Sequence, residues 1–267
     1  MSVVRLAING AAGRMGQRLV ALGSADPDLK IAAAIEYAAH PRLGQDAGQI
    51  AGVGDLGVPL STGQNAPSGI DVVIDFSTPA GAMAALAFCL ERKLPLVLAT
   101  TGFEAEQRQA INQAANKIPL LWSPSMSLAV NLAMRLSAIA GTALKNHSSG
   151  VDVEIIERHH RFKEDSPSGT ALKFGEIIAG VMGQTSSTHG REGRPGKRPA
   201  NEIGYHAVRT GDNPGEHTII FGMLGETLEL TVRATNRDCY AQGALASAKF
   251  LQGKPPGLYG MNDVLGL

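Results

Sequence analysis

The chain has 267 residues, of which 44% are apolar and only 18% charged, so it can bury a sizeable core and is not a disordered sequence. Its formal net charge is zero and aromatic residues make up 4%, a balance that argues against a nucleic-acid footprint. No run approaches the roughly 20 apolar residues that span a bilayer, and the two cysteines, Cys89 and Cys239, lack disulfide-framework or metal-ligand spacing. No membrane partner, no nucleic-acid partner, no metal and a reducing, cytoplasmic setting are therefore expected.

The chain opens on a short apolar strand over 3–8. It is followed by Asn9-Gly10-Ala11-Ala12-Gly13-Arg14-Met15-Gly16, a helical stretch over 17–22, and a second strand over 30–35 that ends at Glu36. Strand, glycine turn, helix, strand and acid make a βαβ unit with the glycines at its first turn. The spacing G-x-x-G-x-x-G gives a tight turn and lets the backbone approach a pyrophosphate. Glu36 lies 20 residues past Gly16, where a carboxylate can accept from adenosine ribose hydroxyls. A glycine trio alone also fits a plain loop. The flanking strands and the spaced acid favour a dinucleotide.

Residues 38–69 read mostly as loop with one edge strand. A strand over 70–76 leads through Ser77-Thr78-Pro79 into a helix over 80–92. The pattern continues with a strand over 94–99, a helix over 104–117 and a strand over 118–122. This alternation predicts a Rossmann-like doubly wound parallel sheet, with ligands beyond the carboxyl ends of its strands. Ala99-Thr100-Thr101 and Ser123-Pro124-Ser125-Met126 stand at such ends. Singly they are ordinary helix caps; in succession along one edge they suggest a nicotinamide and substrate cleft.

A long apolar helix over 128–144 marks the change of pattern. The strand over 151–157 then runs into Glu157-Arg158-His159-His160-Arg161-Phe162-Lys163, followed by Ser168-Gly169-Thr170 at the start of a helix reaching about Met182. A helix start offers unpaired N–H groups and the positive end of a dipole. Two imidazoles and an ammonium just before it make an anion cradle with proton-transfer groups beside it. The plainer reading is a charged loop that caps its helix. Residues 183–201 read as a mobile basic loop that could also fold over a bound anion. Strands over 204–209, 217–221 and 226–233, with no helix between them, are expected to be antiparallel. The helix over 237–251 returns to the first domain. The expected fold is thus α/β, with an α+β second domain carrying an open, largely antiparallel sheet. The domains are 1–127 completed by 237–267, and 128–236, with one sheet face available for self-association.

Gly10-x-x-Gly13-Arg14-Met15-Gly16 and Glu157-x-His159-His160-x-x-Lys163-x-Asp165-x-Pro167-Ser168-Gly169-Thr170-Ala171 occur here in one chain. Together they resemble dihydrodipicolinate reductases of the lysine and diaminopimelate pathway. Asp75-Phe76-Ser77, Ala99-Thr100-Thr101-Gly102, Arg209-x-Gly211-Asp212-x-x-Gly215-Glu216-His217-Thr218 and Arg237-x-x-x-Ala241-x-Gly243-Ala244 extend the likeness to nearly the full length. The resemblance implies a homotetramer that uses NADH or NADPH to reduce a cyclic α,β-unsaturated imine dicarboxylate to tetrahydrodipicolinate. It implies His159 as acid/base, Lys163 as proton donor, and His160, Lys163, Ser168, Gly169 and Thr170 as carboxylate-binding groups. It also implies that Gly10 to Met15, Glu36, Ala99 to Thr101 and Ser123 to Met126 hold the cofactor. Ser125-Met126, Ala99 and Val232 depart from the usual Asn-Phe, Gly and His. Tyr37 stands where relatives that use NADPH well carry arginine, so NADH is the expected preference. Two rival readings fit the residues: a dehydrogenase of small amino or hydroxy acids with His159 as base, and a dinucleotide-responsive binding protein.

Overall fold

The computed structural model describes residues 3–267. The chain forms two compact units: one runs to Leu128 and resumes over Asp238–Leu267, and the other is Ala129–Arg237. The first unit holds β1 (Val4–Asn9), α1 (Arg14–Ala25), β2 (Leu29–Ile35), α2 (Ala47–Ala51), β3 (Leu60–Ser61), β4 (Val72–Asp75) and α3 (Pro79–Arg92). β5 (Leu96–Leu98), α4 (Ala105–Ala114) and β6 (Pro119–Trp122) follow, and α5 (Leu128–Leu144) begins at its border. The second unit contains β7 (Asp152–His159), α6 (Gly169–Met182), β8 (Ser186–His189), β9 (Glu202–Arg209), β10 (Gly215–Met223) and β11 (Glu226–Ala234). α7 (Asp238–Leu251), β12 (Gly257–Tyr259) and α8 (Met261–Leu265) belong to the first unit again.

The first sheet is parallel, in the order β12-β6-β5-β4-β1-β2-β3. Strand alternation explains its two cores. Leu6, Ile8, Val72, Ile74 and Val97 face one side, with Leu19, Val20, Ala244 and Ala248 of α1 and α7. Ala7, Val73, Leu96 and Leu98 face the other, with Leu86, Cys89 and Ile111 of α3 and α4. A sheet buried on both faces needs the continuous apolar strands that the sequence carries. β1 pairs with β2 on one side and β4 on the other. The crossovers that leave β1 and β4 run in opposite directions, toward β2 and β5, which opens a crevice at the carboxyl ends of these two strands.

Within 38–69 the structure adds a five-residue helix, α2, too short to leave a periodic signature. The Asp46 carboxylate organises it by accepting from the N–H groups of Gly48, Gln49, Leu56 and Val58. Burial would push this carboxyl up, but those four donors together hold it at about 2.

The second sheet is mixed, in the order β11-β10-β7-β9-β8. β10 pairs antiparallel with β11 and β7, whereas β7, β9 and β8 pair in parallel. The three strands expected to be antiparallel do alternate in direction. β7 nonetheless inserts between β9 and β10, because α6 supplies the crossover that a parallel pair requires. Val153, Ile155, Phe174, Ile178, Ile219 and Phe221 build its core under α6.

The segment over 183–201 is more ordered than a free loop. It contributes β8, and two of its three arginines, Arg191 and Arg198, are committed to Glu154 on β7 rather than left open to an anion. Arg191 reaches both Glu154 oxygens at 2.9 Å, Arg198 donates to Oε1 at 2.9 Å, and His206 meets Oε2 at 2.7 Å. Against its burial, these partners hold Glu154 at about 2. Gly204 makes room for the cluster, since a Cβ there would strike the Glu154 carboxylate.

Candidate functional site

The glycine loop of the first unit takes its shape from two positions. Gly10 has φ +80°, and a Cβ on it would lie 2.7 Å from the Phe76 carbonyl oxygen. A Cβ on Gly16 would collide with the Gly10 carbonyl oxygen, so α1 crosses the loop only without a side chain there. Gly13 caps α1 with no side-chain hydrogen bond, which leaves the first-turn N–H groups available to an anion. The Ala12 N–H donates to Glu36 Oε1 at 3.0 Å, tying the acid at the end of β2 to the loop.

A cleft of about 600 Å³ lies beside these residues, lined among others by Gly10, Gly13, Glu36, Tyr37, Phe76 and Ser77. A smaller cavity of about 300 Å³ shares Phe76 and Ser77 and adds Arg14, Met15, Ala99, Thr100 and Thr101. Ala11 is buried, and Met126 is 1% exposed with its side chain in the core. Ser123 donates its hydroxyl to the Ser125 carbonyl at 2.8 Å, and Pro124 is exposed. Neither cavity is lined by 123–126. Beneath the cleft, the fully buried Asp75 accepts from Asn9 Nδ2 at 2.6 Å, Ser77 Oγ at 2.5 Å and Thr100 Oγ1 at 2.6 Å. Burial raises this carboxyl despite the three donors. The uncapped helix start, the spaced acid and the cleft suit a dinucleotide with its adenosine near Glu36.

In the second unit, the two-residue period of β7 places Val153, Ile155, Glu157 and His159 on its buried face. The first two are core; the last two are the polar end of the same row. Glu157 is fully buried and receives four donors. His159 Nδ1 lies 2.6 Å from Oε2, Arg209 Nη1 and Nη2 donate to Oε2 and Oε1 at 2.7 Å each, and the Ser168 N–H donates to Oε1 at 3.0 Å. Burial pushes Glu157 up, but Arg209, His159 and Ser168 hold it below the usual carboxylate range. For His159, burial is the larger influence and lowers the imidazole, while Glu157 raises it and Lys163 and Arg209 lower it.

His217 stands opposite Glu157 on β10. Its ring meets that of His159 edge-on at 5.2 Å, and its Nε2 lies 3.1 Å from Ser168 Oγ. Burial, with a smaller push from His159, takes it down to about 4, so it is neutral at pH 7. Such a group binds its proton more readily in the unfolded chain, whose ordinary imidazole value is about 6.5. Its contribution to stability is complete above that value and is lost as pH falls toward 4. Thermal melts should therefore show the Tm of His217→Gln falling less between pH 7 and pH 5 than that of the unsubstituted protein; equal falls would contradict this.

The remaining expected residues gather at the same end of the sheet. Ser168 is 2% exposed and caps α6, its Oγ accepting from the Ala171 N–H at 3.2 Å. Its own N–H and hydroxyl are thus used internally. The N–H groups of Gly169 and Thr170, in the first turn, have no intrahelical acceptor. A Cβ on Gly169 would meet nothing within 4 Å, so space lies open there. Lys163 Nζ donates to Asp165 Oδ1 at 2.6 Å, an exposed carboxylate that Lys163 lowers. His160 Nδ1 is buried without a hydrogen-bond partner. Glu157, Arg209 and His217 belong to the matching motifs, yet sequence reasoning gave them no role. Their alternation with His159 and Ile219 was the available signal for Glu157 and His217; nothing local marked Arg209.

Comparison with known proteins bears on both units. The family model described as dihydrodipicolinate reductase, N-terminus, matches residues 4–126, and that described as dihydrodipicolinate reductase, C-terminus, matches 129–265. The chain is 55% identical to the 4-hydroxy-tetrahydrodipicolinate reductase of Rhodopirellula baltica, over 99% of this chain and 96% of that one. It is 43% identical to the protein of that name from Nitrosomonas eutropha, over the whole of both chains. Among solved structures, a dipicolinate-bound dihydrodipicolinate reductase from Paenisporosarcina sp. TG-14 shares the fold with a TM-score of 0.76, at 24% identity, over 97% of each chain.

Proposed function

The chain belongs to the dihydrodipicolinate reductase family, and from that membership we propose that it reduces 4-hydroxy-tetrahydrodipicolinate, through its cyclic imine, to tetrahydrodipicolinate at the expense of a reduced nicotinamide. The observation that carries this reading is the grouping of His159, His160 and Lys163 beside the open first turn of α6. A cyclic dicarboxylate needs cationic and N–H donors for its carboxylates, and hydride addition at one ring carbon calls for a proton at its neighbour.

In this reading Gly169 and Thr170 donate to one carboxylate. His160 and Lys163 meet the dicarboxylate from the loop, Lys163 exchanging Asp165 for the substrate. Ser168 holds the helix start through Glu157 and His217. Gly10 to Met15, Glu36, Ala99 to Thr101 and Ser123 to Met126 would hold a reduced nicotinamide cofactor, which would supply the hydride. Lys163 gives the proton and His159 manages proton traffic beside it.

The open space at Gly169 yields a direct test. In Gly169→Ala the new methyl group occupies the carboxylate's approach, while alanine suits a helix better than glycine. We expect KM for the imine to rise by about tenfold, equivalent to about 1.4 kcal/mol, with unchanged or higher Tm. An unchanged KM would remove this helix start from substrate binding.

Cofactor choice rests on Glu36 and Tyr37. Glu36 is held at the cleft by Ala12, and Tyr37 stands exposed beside it. A carboxylate there accepts from a ribose diol and repels a 2′-phosphate. Steady-state kinetics should give NADH the higher kcat/KM, and Glu36→Gln should narrow the ratio; a higher value with NADPH would overturn the assignment. We also assign the chain to a cytoplasmic homotetramer. Support comes from β11, an edge strand on which Glu226, Thr227, Leu228 and Glu229 are all exposed, on both faces of the sheet, and which self-association would cover. Light scattering should return four times the chain mass.

A further inference from the structure

We infer that Glu157 and Arg209 are positioning residues for proton transfer, the Glu157 carboxylate fixing the His159 proton on Nδ1 so that Nε2 is the atom at which protons arrive and leave. The proposal rests on the reductase reading for its catalytic meaning, but its structural content stands on distances alone. An ionised carboxylate only accepts. At 2.6 Å from Glu157 Oε2, His159 Nδ1 must therefore donate, and in the neutral ring this leaves Nε2 as acceptor. Gly215, beyond the far side of the ring, has no side chain to cover that atom; a Cβ there would lie 3.0 Å from Nε2.

Arg209 keeps the carboxylate in its accepting state. Its two terminal nitrogens meet both Glu157 oxygens at 2.7 Å, a paired geometry that a lysine cannot reproduce. Arg209 Nη2 also donates to the Asp165 carbonyl at 2.7 Å, linking the loop that carries Lys163 to the same pair. On the other side, Glu157 Oε1 accepts the Ser168 N–H at 3.0 Å. One buried carboxylate thus orients the imidazole and anchors the residue that caps the carboxylate-binding helix.

The charged and titratable groups that act on His159 are Glu157 on its own strand, Lys163 in the following loop, Arg209 on β9 and His217 on β10, with Asp165 held by Lys163 and the Ser168 N–H held by Glu157 behind them. Of these, Glu157 is the one that holds the protonated imidazole in place. An amide at this position presents an N–H to one neighbour and loses the charge. Whichever way it turns, it disfavours the Nδ1–H form or leaves Arg209 half-paired.

The test begins with the unsubstituted full-length protein. Nitrogen NMR of its histidines, with the His159 signals identified by their loss in His159→Gln, should show a protonated Nδ1 and an unprotonated Nε2 in the neutral ring. The opposite tautomer would overturn the proposal. This readout needs no turnover and so fails separately from the reductase reading. Glu157→Gln is then expected to lower kcat by about 10²-fold with KM changed far less. The limb of the pH profile due to His159 should move to lower pH, because a neighbour that favours the protonated ring has gone. Glu157→Asp should recover part of the rate. If both variants fail to fold, Arg209→Lys, which retains the charge but not the paired contact, should move the same limb. A folded Glu157→Gln with unchanged tautomer, pH limb and kcat would refute the positioning role.

Discussion

Lys163→Ala is expected to lower kcat by about 10²-fold or more. Two losses combine in this variant. The first is a cation facing a dicarboxylate, whose removal weakens the ground-state complex. The second is a proton source, whose removal slows the step itself. Lys163 is partly buried, and its partner in the structure is Asp165, a mostly exposed carboxylate that it can leave. KM and kcat should therefore both suffer, with the fold untouched because the Glu157 cluster does not include this side chain. If only KM rose, lysine would be an anchor and the proton would come from elsewhere.

His159→Gln should lower kcat by about 10² to 10⁴-fold, the range typical of a positioned acid/base group. The glutamine amide can still donate to Glu157, so the buried carboxylate keeps a partner and the protein should fold. What it cannot do is take up and release a proton. The pH dependence offers a second check. Burial sets the His159 imidazole below its ordinary value, so the corresponding limb in the unsubstituted enzyme should fall below about 6.5 and vanish in the variant. A variant retaining both rate and limb would remove His159 from the chemistry.

Much of this site was legible in the sequence because its parts are local. The glycine turn, the strand after it and Glu36 form one βαβ unit, and its alternating cores follow from period-2 strands such as Leu6-Ala7-Ile8. His159, Lys163, Ser168, Gly169 and Thr170 lie within a dozen residues, so one strand-to-helix turn assembles them. What escaped depends on pairing between distant strands. Arg209 reaches Glu157 only because β9 lies parallel beside β7, and His217 faces Glu157 only because β10 lies on the other side. Neither arrangement leaves a trace in local periodicity. The same cause explains the segment over 183–201. Its basic residues resemble a free anion-binding loop until Glu154, far away in sequence, is seen to collect Arg191 and Arg198. Short elements such as α2 escape for a different reason, since five residues cannot establish a helical period.

The most direct measurement follows the two hydrogens that the reaction adds. The imine would be generated in place by dihydrodipicolinate synthase from pyruvate and aspartate semialdehyde. The reduction would then be run with nicotinamide cofactor carrying deuterium at its transferable position. Enzyme-dependent cofactor oxidation is expected, with one cofactor-derived deuterium per tetrahydrodipicolinate and the second hydrogen drawn from solvent through the protein's acid groups. Cofactor binding with no deuterium in the product, or with turnover only on amino or hydroxy acids, would contradict the proposed reduction.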